Sequence, residues 1–169
     1  MTSAAIAGSA IFQGLKPAEG EARALAAHSN TLVVRTSAFF GPYDEFNFVT
    51  LALRTLAAGE SFHAPGDVIV SPTYVPELVD VVLDLLIDGE RGVWHLANAT
   101  AVTWAEFAEA AAGVAGVPTK TLARVPAASL GLAAARPAYS ALGSERGSLL
   151  STLDNALARY ASERGRLGN

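Results

Sequence analysis

The pattern of apolar and polar positions changes most sharply near residue 31, where a short apolar run ends in polar residues and a turn. Residues 32–34 (Leu-Val-Val) are β-prone and lack the polar alternation of a half-exposed strand. They predict a strand buried on both faces, as in the parallel sheets of α/β proteins. Arg35, Thr36 and Ser37 follow at its C-terminal end, where open α/β sheets bind their ligands. The run therefore predicts a site as well as a fold, with an antiparallel strand and a solvated Arg35 as the alternative.

Apolar residues at helical spacing predict helices at residues 17–27, 75–88 and 149–161, with two more running from residue 44 to 59 and from 103 to 116. Asp44 is the expected N-cap of the second helix, and Thr103-Trp-Ala-Glu106 is a capping box that opens the fourth. Val114 is expected to face inward. The last helix is expected to bury Leu149 and to end in a charged tail that frays.

Further strands are predicted between these helices, at residues 68–70, 92–97 and 121–125. This alternation predicts an α/β fold with short mixed or parallel strands, covered by helices on both sides of the 32–36 strand. The first ten residues have neither a helical nor a strand period. Residues 1–15 are therefore predicted to form a poorly ordered head or the remnant of a preceding segment.

The composition is that of a globular chain whose partner is a small molecule or another protein. Of the 169 residues, 51% are hydrophobic, enough to bury the core of a single domain. No window is apolar enough to span a membrane, and the first residues lack the basic region of a signal peptide, so we expect a cytoplasmic location. The net charge of −4 argues against a nucleic-acid or anionic-membrane surface. The absence of cysteine excludes disulfides and thiolate metal sites.

Polar residues within the predicted elements offer weaker signals of chemistry. Glu77, Asp80, Asp84 and Asp88 recur at helical spacing, but they lie opposite an apolar face, which favours a solvated face over a metal site. His95 is expected to be a hydrogen-bonded core residue rather than a ligand. The sequence contains no G-x-G-x-x-G, P-loop, G-x-S-x-G or H-E-x-x-H motif. It therefore predicts no dinucleotide loop, no serine-hydrolase elbow and no metal centre.

Six blocks follow one another in a recognisable order: Arg35-Thr-Ser-Ala-Phe-Phe-Gly41, Phe46-Asn-Phe-Val49, Asp67 through Ser71-Pro-Thr-Tyr74, Gly92-Val-Trp-His-Leu96, Thr103-Trp-Ala-Glu-Phe107 and Arg136-Pro-Ala-Tyr-Ser140. Together they resemble the dTDP-4-dehydrorhamnose reductase family, of the extended short-chain dehydrogenase/reductase type. The resemblance runs from about Lys16 to Tyr160 and covers the C-terminal portion only. It implies a Rossmann-like fold in which residues 16–169 form the sugar-nucleotide-binding domain, while the N-terminal half of a full-length member carries the Gly-rich loop for NADPH.

Two departures from the family bear on activity. The family's catalytic pair is Tyr-x-x-x-Lys, in which the phenol protonates the developing alkoxide during hydride transfer, and the nearest match here is Phe12-Gln-Gly-Leu-Lys16. Phenylalanine has no proton to give, so no catalytic residue is predicted, and no cofactor is expected to bind to this chain alone. Ala38 stands in place of the tryptophan of the family's Arg-Thr-Ser-Trp. That replacement removes a large contact from the sugar pocket.

The resemblance implies a pocket for a dTDP-linked deoxyhexose, between the end of the 31–36 strand, the start of the second helix and the segment around Pro137. Its expected substrate-binding residues are Arg35, Ser37, Asn47, Ser71, Thr73 and Arg136. Arg136 is assigned to the diphosphate, because Pro137 holds its backbone extended and a guanidinium grips two phosphate oxygens at once. The alternatives are that Arg136 pairs with a surface carboxylate and that Asn47 bonds to its own helix end.

Two functions from different classes follow. The first is the sugar-nucleotide-binding portion of an NADPH-dependent 4-keto-6-deoxysugar-nucleotide reductase, inactive on its own. The second is a non-catalytic interaction or regulatory module derived from this family, for which its resemblance to the regulatory subunit of methionine adenosyltransferase is a precedent. A homodimer or a fused neighbouring domain is then the expected partner.

Overall fold

The computed structural model describes residues 3–8, 17–131 and 137–167, which form a mixed α/β structure. The helices are α1 (Pro17–Ala27), α2 (Phe48–Ala57), α3 (Val75–Ile87), α4 (Trp104–Ala115) and α5 (Leu153–Leu167). The strands are β1 (Ser3–Gly8), β2 (Thr31–Thr36), β3 (Phe39–Phe40), β4 (Phe62–Pro65), β5 (Ile69–Val70), β6 (Thr73–Tyr74), β7 (Gly92–His95), β8 (Val102–Thr103), β9 (Leu122–Val125) and β10 (Tyr139–Ser140). The predicted α/β class is confirmed.

Of the two three-stranded sheets among the described residues, the one with the longer strands is parallel and is centred on the apolar run of β2. β2 lies between β1 and β7, with Leu32 opposite Gly92 and Arg35 opposite His95. Residues 32–34 are almost completely buried, so the doubly covered strand is confirmed and the antiparallel alternative is wrong. β1 occupies residues in which the sequence pattern showed no strand. The division of the chain near residue 15 stays a prediction.

In the described part of the chain, short strands between the helices form three smaller sheets. β3 pairs in parallel with β6, β4 pairs in parallel with β9, and β5 lies between parallel β10 and antiparallel β8. After β6 the chain enters α3, which packs on the large sheet and leads into β7. Because β2 and β7 are parallel neighbours, their C-terminal ends meet at one edge, which places Arg35 beside His95.

Two apolar clusters hold these layers together. In the first, Leu32 and Val34 of β2 pack against α3 residues such as Leu78 and Val82. In the second, the buried Phe40 ring lies 5.3 Å from both the Tyr74 and the Phe107 rings and 6.0 Å from that of Tyr160. These tilted and edge-on contacts between aromatic rings fix β3 against β6, α4 and α5.

Helix starts follow local capping chemistry, and one of them differs from the prediction. The capping box at α4 is confirmed, because Thr103 Oγ1 accepts from Glu106 N at 3.2 Å and the Glu106 carboxylate accepts from Thr103 N at 2.8 Å. At α2 the predicted cap Asp44 is wrong. Asn47 is the N-cap, and its Oδ1 accepts from Thr50 N at 3.1 Å. Asp44 instead accepts from the amide of Phe46, in the turn before the helix.

The C-terminal part of the chain departs from the prediction in two more places. α5 begins at Leu153 and continues to Leu167, so its expected start at residue 149 and its expected end at residue 161 are both wrong, while the fraying of its charged tail stays a prediction. Leu149 is 44% exposed and Val114 is 42% exposed. The prediction that both are buried in the core is therefore wrong. The buried face of α5 is otherwise as expected, with Leu157 and Tyr160 in the aromatic cluster.

Candidate ligand-binding site

A cleft of about 300 Å³ opens beside the C-terminal ends of β5 and β7, against residues 139–148, which we call the roof. Its walls carry hydroxyl-bearing and small apolar side chains, among them Ser71, Thr100, Tyr139, Ala141 and Ser144. A second cleft of about 370 Å³ shares His95, Gly143 and Ser144 with the first and adds Arg35, Val93, Glu145 and Arg146. Together they combine a hydroxyl-lined surface with one that carries two guanidinium groups and one carboxylate.

Arg35 lies at the end of β2 and is held on two sides. Its Nε and Nη2 donate to the Glu21 carboxylate of α1 at 3.1 and 2.6 Å, and its Nη1 lies 3.2 Å from His95 Nε2. The hydrogen bonds to Glu21 raise the pKa of Arg35 above its ordinary value, so the guanidinium stays charged. A guanidinium has five N–H groups, and these contacts use three. Among the described residues, one N–H on each terminal nitrogen is thus left for water or a ligand.

Thr73 and Ser37 meet at the end of β2, where they support the backbone. Thr73 is fully buried, its Oγ1 donates to Ser37 O at 2.6 Å, and it accepts from Thr36 Oγ1 at 3.0 Å. Its N–H donates to the carbonyl of Ala38, whose φ of 43° lies in the left-handed region. That conformation costs a non-glycine residue about 1–2 kcal/mol. The contacts of Thr73 hold this turn in place, and direct contact of Thr73 or Ser37 with a ligand stays a prediction.

Asn47 is committed to its own loop. Its side chain is buried, Oδ1 accepts from Thr50 N, and Nδ2 donates to Gly41 O and Thr50 Oγ1, both at 2.9 Å, and also to the Asp44 carbonyl. These hydrogen bonds support the alternative in which Asn47 bonds to its own helix end. A substrate-binding role for Asn47 stays a prediction.

Of the predicted substrate-binding residues, Ser71 and Arg35 line the clefts. Ser71 is 2% exposed, and its Oγ accepts from Leu142 N of the roof at 3.0 Å, which leaves the hydroxyl proton to donate. Arg136 lies outside the described residues, as do Phe12 and Lys16 of the nearest match to the catalytic pair.

His95 is the cleft residue that sequence reasoning placed differently. It is hydrogen-bonded, as predicted, with Nδ1 2.7 Å from the Gly143 carbonyl. However, it is half-buried and lies where the two clefts meet, not in the core. The only available signal was its place near the end of a predicted strand, because the register that sets it beside Arg35 joins residues 60 positions apart.

Glu77 corrects the prediction of a fully solvated carboxylate face on α3. Its side chain is 14% exposed, and its carboxylate accepts from Asn98 Nδ2, Ser151 N and Ser151 Oγ, each at 3.0 Å. Arg159 of α5 lies 3.5 Å away. The other three carboxylates of the row are exposed, as predicted. Glu77 therefore joins α3, the segment after β7 and α5 below the first cleft.

Tyr74 is not placed to serve as a catalytic phenol. The residue is completely buried, and its hydroxyl has no hydrogen-bond partner within the described part of the chain. Burial raises the pKa of the Tyr74 phenol far above its usual range, and the nearby Glu163 carboxylate adds to that effect. A phenol in this position can neither reach a ligand nor ionise readily.

The described ranges contain no cluster of three or more histidine or acidic side chains arranged to hold a metal ion. No helix within them is long and apolar enough to cross a membrane. The candidate chemistry is thus that of the two clefts.

Comparison with known proteins identifies the family. The model of the RmlD substrate binding domain matches residues 11–161. The chain belongs to this family. A dTDP-4-dehydrorhamnose reductase from Mycolicibacterium smegmatis is 33% identical over 129 residues, and one from Mycobacterium tuberculosis (strain H37Rv) is 36% identical over 135 residues. These matches cover 75% and 77% of this chain but 39% and 43% of the relatives. This RmlD-type domain thus spans about two fifths of the length of the curated relatives it matches.

Solved structures agree on the fold. A dTDP-4-dehydrorhamnose reductase from Bacillus anthracis in complex with NADP superposes with a TM-score of 0.83 at 27% identity, covering 95% of this chain and 65% of that chain. A dTDP-4-dehydrorhamnose reductase from Clostridium acetobutylicum gives a TM-score of 0.82 at 21% identity, with the same coverage. The RmlD-type fold therefore extends over nearly the whole chain.

Proposed function

We propose that this RmlD-type domain is the sugar-nucleotide-binding portion of an NDP-4-keto-6-deoxysugar reductase and has no reductase activity alone. The observation that carries the proposal is the family match over residues 11–161, combined with clefts at the C-terminal ends of parallel strands, where α/β sheets bind ligands. The ligand is a dTDP-linked deoxyhexose, the substrate class that the reductase names of the relatives indicate.

The residues of the clefts suit such a ligand. Ser71, Thr100, Tyr139 and Ser144 can exchange hydrogen bonds with sugar hydroxyls, and Ala141 offers apolar surface to a sugar ring. Arg35 keeps two N–H groups for an anionic group, and Arg136 remains the predicted diphosphate residue.

NADPH belongs to the proposal only for a full-length protein. The Bacillus anthracis structure is a complex with NADP, whereas this sequence contains no Gly-rich dinucleotide loop and carries Phe12 at the nearest match to the catalytic tyrosine. The residues present do not fit the cofactor, so no catalytic step is assigned to this chain.

Titration with dTDP, followed by proton–nitrogen NMR spectra of the labelled protein, tests the proposal. We expect amide shifts at Ser71, Thr100 and Gly143, with a Kd on the order of a millimolar, because half of the family's site lies outside this chain. Arg136→Ala should abolish the shifts. Arg124→Ala is the matched control, because Arg124 is an exposed arginine paired with Glu109 away from the clefts. No shifts at several times that concentration would contradict the proposal.

The second candidate is the interaction or regulatory module. Two observations favour it: Phe12 stands at the nearest match to the catalytic tyrosine, and the Asn47 side chain is hydrogen-bonded within its own loop. The same titration separates the two, because a module without ligand-binding function should leave every cleft amide unshifted.

A further inference from the structure

His95 stands at the junction of the two clefts and joins three elements. Its Nδ1 lies 2.7 Å from the carbonyl of Gly143 in the roof, and its Nε2 lies 3.2 Å from Nη1 of Arg35. Arg35 in turn donates from Nε and Nη2 to Glu21 of α1. A continuous chain of contacts therefore runs from α1 through the ends of β2 and β7 to the roof.

The partners of His95 allow one protonation state. A guanidinium carries only donors, so Nε2 must accept from Arg35. A carbonyl only accepts, so Nδ1 must carry the proton that is donated to Gly143. The neutral Nδ1–H tautomer satisfies both contacts. The Nε2–H tautomer satisfies neither, and a doubly protonated ring would set a donor against Arg35.

Glu21 holds Arg35 in the orientation that favours the Nδ1–H tautomer of His95. Its side chain is only 10% exposed and it grips Arg35 through two nitrogens. Such a side-on pair orients the guanidinium plane as well as its charge. Arg35 therefore presents Nη1 to His95 in a defined direction, and the ring is held between Arg35 and the roof.

The roof is hydrogen-bonded to the rest of the protein at both ends of residues 142–146 and, between them, by His95. On one side, Leu142 N donates to Ser71 Oγ at 3.0 Å. On the other, Arg146 donates to the turn before β7 at 2.9 and 3.0 Å. Between these two contacts, the hydrogen bond from His95 to the Gly143 carbonyl is the one that joins a side chain of the sheet to the roof within the described residues. We call this hydrogen bond the tether. It acts at Gly143 and Ser144, which line both clefts.

We propose that His95 is a positioning residue that sets the roof over the two clefts, and that Glu21 and Arg35 fix the ring tautomer by which it does so. The inference deepens the proposed function and rests on it where ligand affinity is concerned. Its structural part, the tautomer and the order of the roof, concerns the free protein and stands independently of any ligand.

The first test measures the tautomer. Long-range proton–nitrogen spectra of the histidine rings, recorded on the full chain at neutral pH, should show a protonated Nδ1 and an unprotonated Nε2 for His95. The exposed His63 of β4 serves as the internal reference. A His95 ring in the Nε2–H form, or protonated on both nitrogens, would overturn the proposal whether or not dTDP binds.

The second test uses graded substitutions. In His95→Asn the amide nitrogen takes the place of Nδ1 and can still donate to Gly143, whereas His95→Leu cannot. Hydrogen exchange at the Leu142 amide, which donates to Ser71 Oγ beside the Gly143 contact, should rise about three- to tenfold in His95→Leu, which corresponds to the loss of one hydrogen bond, and should stay near wild type in His95→Asn. His63→Leu is the matched control. Equal exchange in wild type and His95→Leu would refute the tether.

The dTDP titration then connects the two proposals. If wild type binds, His95→Leu should weaken the Kd about three- to tenfold and His95→Asn should restore it. Binding that is unchanged in His95→Leu would overturn the positioning role. If wild type does not bind, the proposed function fails, while the tautomer and exchange results still decide the role of His95 in the fold.

Discussion

Replacing Glu77 with alanine should destabilise the protein by about 3 kcal/mol, because it removes a nearly buried charge that several donors share. The carboxylate accepts three hydrogen bonds of 3.0 Å, one from Asn98 Nδ2 and two from Ser151. It also lies 3.5 Å from Arg159. Without it, the Ser151 N–H and one N–H of the 2%-exposed Asn98 side chain lose their acceptor, while the other N–H of Asn98 still donates to the Ser151 carbonyl.

The magnitude follows from these contacts. A hydrogen bond to a charged group contributes about 1.5–3 kcal/mol, so three independent bonds would contribute roughly 4.5–9 kcal/mol. The Glu77 side chain is 14% exposed and that of Arg159 is 38% exposed, so water can replace part of what is lost and the expected value falls below this range. A loss of about 3 kcal/mol corresponds to a drop in Tm of about 6–12 °C for a chain of this size.

Urea unfolding followed by circular dichroism measures the effect as a change in the free energy of unfolding. Glu77→Gln keeps a carbonyl oxygen and should cost less than Glu77→Ala, since it still accepts from one donor. Asp84→Ala, on the exposed part of the same helix, is the matched control and should change stability by no more than about 0.5 kcal/mol. Equal losses for Glu77→Ala and Asp84→Ala would refute the reasoning.

Two further predictions concern the helix caps. Asn47→Ala should cost about 1–2 kcal/mol of unfolding free energy in urea, and more than Asp44→Ala, because Asn47 is the cap of α2; the reverse order would contradict that assignment. At α4, hydrogen bonds from the backbone and then the hydroxyl of Thr103 lower the pKa of Glu106 below its ordinary 4.5. Stabilisation by Glu106 is therefore present above pH 4.5 and lost as the pH falls through the lower folded-state pKa. Glu106→Gln should flatten this part of the urea-midpoint profile, and an unchanged profile would count against the cap contribution.

Local patterns predicted those parts of the fold that local interactions determine. The apolar run at residues 32–34 predicted a doubly covered strand, and the strand lies at the centre of a parallel sheet. The capping box at Thr103 predicted the start of α4, because both of its hydrogen bonds join residues three positions apart. Asp44 and Asn47 are also three positions apart, and both can cap. Propensity alone therefore could not choose between them.

Contacts between distant parts of the chain explain the remaining differences. Glu77 shares the spacing of three exposed carboxylates, yet its partners Asn98 and Ser151 come from 21 and 74 positions away. His95 meets Gly143 across 48 positions. The spacing of apolar and polar residues does not predict such contacts, because they depend on how the tertiary fold brings distant segments together. Polar residues close to strand ends or helix starts are thus the ones whose environment the sequence leaves open.

The sequence blocks that carry the family resemblance are hydrogen-bonded to one another. Several predicted site residues therefore contact other blocks rather than the open space of the clefts. The block that begins at Arg35 bonds to the Ser71-Pro-Thr-Tyr74 block through Thr73, and to the β7 block through His95. The segment after Pro137 joins the same assembly, since Leu142 N donates to Ser71 Oγ. A motif found in this way marks residues that hold one another in place, and only some of their atoms face the clefts. Variants of Thr73 should therefore act on ligand binding through the turn at Ala38, whereas variants of Ser71 should act both at the wall of the first cleft and through the hydrogen bond to Leu142 of the roof.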